Sequence, residues 1–247
     1  MLSSRKKVGI IVQARMASTR LPRKIMKHIL GEPMLAHCIK RLQKVSFATV
    51  IVIAAPRGKD NSPIIELAEK MGVKIFQGSE EDVLSRYYGA AAKYQIDIVV
   101  RVTSDCPLID PAIVDRVIEH FLKNQPVDYV SNTIERTFPR GMDVEVFTSA
   151  FLKKADRDAD KPYQREHVTP YIFEKGRTLN YRHKKDLSPY RLTVDTAEDF
   201  DLIVKIYESL YPKNKLFDLE TITQFLEKNP HLLGINKHIE QKTLKGS

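Results

Sequence analysis

Apolar runs of strand length recur along the chain at 8–12, 49–54, 73–76, 97–102 and 127–130. Between them, at 34–45, 62–71, 82–94 and 111–123, apolar residues repeat every three or four positions, as in Leu35, Ile39 and Leu42 or in Ile113, Val114, Val117, Ile118 and Phe121. Continuous apolar strands alternating with amphipathic helices predict a mostly parallel central sheet flanked by helices on both faces, an α/β fold. Asp110-Pro111 reads as a helix start, with Asp at the N-cap and Pro at the first position. After residue 131 the rhythm changes. SNTIERTFPRGMDVEVF reads as a loop and an alternating strand, and 178–183 and 190–194 as further strands, so 131–190 is an excursion of the kind that builds a substrate lid or a dimer contact. Helices at 196–209 and 218–228 close a single domain over 1–233, and the polar stretch 234–247 reads as a tail with too little apolar content to fold alone.

A length of 247 residues with 43% apolar content suits one large α/β domain. No run approaches the roughly eighteen apolar residues of a membrane span, and the leading MLSSRKK lacks a signal peptide's apolar region, so the expectation is a cytoplasmic protein without a membrane partner. Cys38 and Cys106 are too few for a disulfide framework, and Cys38 lies on an apolar helix face as a buried structural thiol does. The 40 Lys and Arg outnumber 31 Asp and Glu, giving +9 and an anionic partner. The basic residues spread over 5–7, 15–27, 175–185 and 237–245 without a helix-turn-helix, zinc-finger or RNA-recognition signature, which favours a small polyanion over a nucleic acid. Neither the glycine fingerprint of dinucleotide enzymes nor the P-loop is present.

Four constellations carry candidate chemistry. The first strand runs directly into QARMASTRLPRK, where Arg15, Arg20, Arg23 and Lys24 stand beside small residues Ala14, Ala17, Ser18 and Thr19. Small residues let backbone N–H groups approach an anion while the cations neutralise it, so this is a phosphate loop; a solvated basic loop is the competing reading. RVTSDCPLIDP ends a buried strand and presents Asp105, a hard oxygen donor suited to magnesium. Asp195 in RLTVDTAED is a possible second ligand, or else the N-cap of the next helix with Glu198 completing a capping box. Arg165-Glu166-His167 opens an amphipathic segment without zinc spacing, and Asp143 and Glu145 share one face of an expected strand, which calls for a cation or donor between them.

QARMASTRLPRK, GSEEDVLSRYYGAA, RVTSDCPLIDP, PRGMDVEVF, REHVTPYI and RLTVDTAEDF, in that order, resemble the cytidylyltransferases of the spore-coat polysaccharide type, relatives of the CMP-sialic acid and CMP-Kdo synthetases. The resemblance covers residues 7–230. It implies a Rossmann-like nucleotide-diphospho-sugar transferase fold, a homodimer, CTP as substrate and Mg²⁺ as cofactor. By it, Ala14, Arg15, Arg20 and Lys24 belong to the nucleotide site, Arg15 and Lys24 meeting the CTP phosphates and Arg20 supporting the loop, and Arg86 and Thr103 lie near the cytosine or ribose. Lys24, Arg15 and Asp105 are catalytic, Asp105 and Asp195 hold the metal, and Asp143, Glu145, Arg165, Glu166, His167 and Arg191 face an acidic sugar-like acceptor. One position departs from the pattern: the family generally has Gly before the motif lysine, where this chain has Arg23. The alternatives are a nucleotide-sugar-dependent glycosyltransferase of the same fold and a non-catalytic basic RNA-binding protein.

Overall fold

A computed structural model describes residues 6–241. The elements run β1 (Val8–Gln13), a 3-10 turn (Lys24–Met26), the hairpin β2 (His28–Ile29) and β3 (Glu32–Pro33), α1 (Met34–Leu42), β4 (Val50–Pro56), α2 (Ser62–Lys70), β5 (Lys74–Gly78), α3 (Val83–Lys93), β6 (Ile98–Thr103) and α4 (Pro111–Lys123). They continue with β7 (Tyr129–Ser131), β8 (Glu145–Thr148), α5 (Ser149–Asp158), α6 (Pro162–His167), α7 (Pro170–Lys175), β9 (Thr178–Asn180), α8 (Ala197–Leu210) and α9 (Leu219–Lys228).

Seven strands form one sheet in the order β5-β4-β1-β6-β8-β7-β9, with β8 antiparallel to both neighbours. Alternate residues of β1 serve opposite cores. Ile10 and Val12 pack with Leu35, Val114 and Leu202 of α1, α4 and α8, while Ile11 packs with Leu84 and Leu152 of α3 and α5. The chain proceeds outward from β1 through β4 to β5, then returns to place β6 on the other side of β1. That reversal opens a crevice at the carboxyl ends of β1 and β6, where the open sheets of α/β proteins bind ligands. Gln13 and Thr103 are register partners at this edge.

Asp110 caps α4 as its sequence predicts: Ala112 N–H donates to Oδ1 at 2.9 Å, while Leu219 N–H at the start of α9 donates to Oδ2 at 2.9 Å. The 131–190 segment is divided between the core and the crevice, to which α6 brings Pro162, Arg165, Glu166 and His167. β7, β8 and β9 extend the main sheet, so much of the segment is core. Residues 190–194 form no strand, only a bridge between Arg140 and Arg191. Gly141 makes that crossing possible, since at φ +100 a Cβ would stand 2.5 Å from the Leu192 carbonyl carbon. The REHVTPYI segment is two short helices, divided at Val168 with φ 73. The expected tail is seated against the domain as far as it is described. Asn236 is 4% exposed and donates to Asp199 and to the Arg191 carbonyl, and Gln241 accepts from Arg191. Residues 242–247 of that tail and Arg5 of the first basic cluster lie outside the described residues.

Candidate active site

The crevice is a cavity of about 900 Å³. The 14–20 loop walls one side of it, and Arg15, Arg20 and Lys24 all line it. The loop is held from beneath, with Met16 N–H donating to the Asn61 side chain at 3.1 Å and Arg23 N–H to the Met16 carbonyl at 3.2 Å. Arg23 has φ 57, the left-handed conformation that a glycine adopts without strain. Its side chain is exposed and is not part of the cavity wall. The departure from the family pattern therefore preserves the backbone path and leaves Lys24 directed inward.

Lys24 Nζ donates at 2.9 Å to Asp105 Oδ2, at 2.9 Å to Asp195 Oδ1 and at 2.7 Å to the Val194 carbonyl. Burial disfavours the charge of Lys24, but the two carboxylates outweigh it and its pKa is raised. Burial likewise opposes the charge of Asp195, and Lys24, Arg20 and Arg191 overcome that to lower its pKa. Arg20 Nη2 lies 2.9 Å and Arg191 Nη2 3.0 Å from Asp195 Oδ2. Thr103 Oγ1 donates to Asp105 Oδ1 at 2.6 Å and so fixes the other carboxylate. Asp195 is not the helix cap. Thr196 caps α8 in a reciprocal box with Asp199, one residue along from the expected pair of Asp195 and Glu198, and this releases the Asp195 side chain to the cavity.

Asp105 and Asp195 converge on one point now held by an ammonium. Two hard oxygen donors meeting there fit Mg²⁺, which takes one or two carboxylates together with substrate phosphates. Among the described residues no His, Cys or Asp/Glu side chain joins them to make a group of three, so the other ligands would be phosphate oxygens and water.

On the α3 side, Arg86 is 2% exposed, lines the cavity, and donates to the Ser79 carbonyl, while its Nε has no partner. Burial is the main cause of its lowered pKa. From α6, Arg165, Glu166 and His167 all reach the cavity, with Arg165 braced by Asp82 at 2.5 Å and Asp156 at 3.0 Å. The lining residues absent from the sequence-derived set are Gln13, Ile25, Val83, Ser104, Pro162 and the acidic turn Glu80-Glu81-Asp82. Asp82 is recognisable in sequence only as a helix cap, which it also is, accepting from Ser85 N–H at 2.9 Å.

Three residues expected at the acceptor are placed elsewhere. Glu145 begins β8 and lies inside the molecule, where Tyr129 and Thr169 donate to Oε1 at 2.6 Å each and Arg101 pairs with Oε2. Both oxygens are occupied and none of the residue lines the cavity. Asp143 precedes the strand and binds Arg136 through two hydrogen bonds of 2.6 and 3.0 Å, outside the cavity wall. Arg191 stands behind Asp195, joined to Asp199 at 2.8 Å, as a brace. For Asp143 and Glu145 the reason is shared: an alternating pattern reports which residues lie on one face, not which partners the fold brings to that face; the expectation for Arg191 comes from the resemblance alone.

The family described as Cytidylyltransferase matches residues 9–241. The chain is 31% identical over 233 residues to the spore coat polysaccharide biosynthesis protein SpsF of Bacillus subtilis, covering 89% of this chain and 94% of that one. It is 33% identical over 192 residues to a 3-deoxy-manno-octulosonate cytidylyltransferase of Geobacter metallireducens, covering 72% of each. A solved cytidylyltransferase structure from Leptospira borgpetersenii serovar Hardjo-bovis superposes with a TM-score of 0.89 at 38% identity, over 97% of this chain and 100% of the other.

Proposed function

The chain belongs to the cytidylyltransferase family and is a nucleotidyltransferase, and from that premise we propose that it transfers CMP from CTP to an acidic sugar-like acceptor, with Mg²⁺ as cofactor and release of pyrophosphate. The observation that carries this reading is the Lys24 ammonium held between Asp105 and Asp195 at the foot of a basic, small-residue loop. A hydroxyl oxygen of the acceptor attacks the α-phosphorus, the bond to the β-phosphate bridging oxygen breaks, pyrophosphate leaves with that electron pair, and the hydroxyl proton passes to water.

Lys24, Arg15 and Arg20 bind the triphosphate, and their fixed positive charge stabilises what develops on the transferred and leaving oxygens. Mg²⁺ on Asp105 and Asp195 would supply further charge neutralisation and a template for the phosphates. Arg86 and Thr103 bound the nucleoside end. Arg165, Glu166 and His167 face the acceptor. Burial, helped by Arg101 and opposed by Glu166, lowers the His167 pKa and keeps a neutral imidazole for hydrogen bonding near pH 7. The family relatives named for spore-coat polysaccharide and for 3-deoxy-manno-octulosonate support an acidic acceptor destined for surface polysaccharide.

Among the described residues no helix is long and apolar enough to cross a membrane. The same reading makes the enzyme a cytoplasmic homodimer, which light scattering tests. The activity is tested by pyrophosphate release from CTP and Mg²⁺ across a panel of acidic sugars. Release with one acid and none without it is the expected result; no release across the panel, or equal release from ATP, would overturn the proposal.

A further inference from the structure

Gln13 presents a hydrogen-bond donor to the cavity, and its surroundings determine which end of the amide does so. It ends β1 on the sheet face that packs against α3, as Ile11 does two positions earlier. Arg101 Nη2, on the adjacent strand β6, donates to Gln13 Oε1 at 3.0 Å. A guanidinium has donors only, so the amide oxygen must face it and the amide nitrogen must face away. Arg101 is itself fixed by Glu145 and lies 5.9 Å from the centre of the Tyr87 ring. Gln13 Nε2 makes no hydrogen bond to protein among the described residues, and Gln13 lines the cavity.

Charged side chains line both sides of that cavity, Arg86, Arg165 and Glu166 among them, but its converging pair of carboxylates lies on one side only. Lys24, Arg20, Asp105 and Asp195 gather on the α8 side, where the reading above puts phosphates and metal. Gln13 and Thr103, both uncharged, stand side by side at the strand ends. An uncharged planar heterocycle belongs against them. Resting on that reading of the site, we propose that Gln13 is the residue that selects cytosine over uracil, its Nε2 donating to N3 of the ring. Cytosine N3 is an acceptor. Uracil carries N3–H at the same place, so two donors would meet and the amide, locked by Arg101, cannot turn to offer its oxygen. A site built around one hydrogen bond rejects the partner that leaves it unpaired.

The test is direct calorimetric binding of CTP and UTP, each with Mg²⁺, to the full chain and to two variants. In Gln13→Glu one carboxylate oxygen retains Arg101 while the other presents an acceptor in place of the donor; Gln13→Met removes the donor at similar length. Wild type is expected to prefer CTP. Gln13→Met should lose about fivefold in CTP affinity with UTP unchanged, and Gln13→Glu should shift the CTP-to-UTP ratio toward UTP by about tenfold or more. A wild-type preference for CTP that persists unchanged in both variants overturns the assignment to Gln13 and leaves the proposed reaction standing. A wild type that binds CTP and UTP alike removes the proposed reaction itself.

Discussion

Lys24 with Asp105 and Asp195, and Arg101 with Glu145, are both clusters of partly or fully buried opposite charge near the ligand-bearing end of one sheet, yet they differ in what remains unused. Glu145 is 8% exposed, and its oxygens are taken up by Tyr129, Thr169 and Arg101. Burial opposes its charge, and Arg101 with the two hydroxyls reverses that to lower its pKa. The Asp105 side chain keeps 25% of its surface exposed, and both it and Asp195 line the cavity. The Arg101–Glu145 cluster cannot change partners without leaving a charge buried alone. The Lys24–Asp105–Asp195 cluster can exchange an ammonium for another cation. Openness, not charge density, separates a site from a structural brace.

Breaking the sealed cluster should have the largest effect. Glu145→Ala leaves Arg101 without its counter-charge, and removing one member of a buried pair costs about 3–5 kcal/mol. Urea unfolding measures it. Glu145→Gln adds a pH signature: because the folded pKa lies below the unfolded value of about 4.3, the wild-type stabilisation is complete above that pH and is lost as pH falls through the folded pKa. The stability gap between wild type and Glu145→Gln should therefore close in acid. A gap independent of pH would show that the charge of Glu145 is not what braces the sheet.

Lys24→Ala comes next and should behave oppositely, folding normally and failing in turnover. Loss of one preorganised charge contact to the phosphates costs about 3 kcal/mol, a hundredfold or more in kcat/KM for pyrophosphate release. Lys24→Arg should recover only part, since a planar fork does not reproduce a point charge. Without nucleotide, Mg²⁺ should raise the melting temperature of Lys24→Ala more than that of wild type, because the ammonium no longer occupies the carboxylate pair. Equal shifts would mean that Lys24 and the ion do not share that point. In wild type, CTP with Mg²⁺ at a hundredfold excess over Kd should add about 2.7 kcal/mol, well above GTP or ATP.

The parallel sheet, its flanking helices and the basic loop were legible because each depends on local pattern: strand-length apolar runs, a three-to-four repeat, and cations placed immediately after β1. Asp105 and Asp195 were legible as loop carboxylates after apolar strands, although 90 positions separate them in sequence and it is the fold that joins them, with Val194 N–H donating to the Asp105 carbonyl at 2.9 Å. What pattern could not supply was the environment of each polar residue. Asp143 and Glu145 look alike in sequence, and their fates are set by Arg136 and Arg101, which arrive from elsewhere in the fold. Gln13 carries no charge and opens the basic-loop motif without a role of its own there; the orientation of its amide depends on an arginine 88 positions away.

The smallest effect tests the one position where the open cluster carries strain. Arg23 immediately precedes Lys24 and sits at φ 57 with an exposed side chain outside the cavity wall. An L-residue in that conformation brings its Cβ against the following carbonyl at a cost of about 1 kcal/mol, and glycine has no Cβ to clash. Arg23→Gly should therefore stabilise the protein by up to about 1 kcal/mol, less whatever the freer unfolded chain returns. Because the backbone path is already that of a glycine, Lys24 keeps its contacts with Asp105, Asp195 and the Val194 carbonyl, and kcat/KM should stay within about twofold of wild type. The double variant Arg23→Gly, Lys24→Ala should fall as far as Lys24→Ala alone. A further loss in the double variant would show Arg23 swinging inward to replace the missing ammonium, and the separation drawn between an outward Arg23 and an inward Lys24 would then hold only while Lys24 is present.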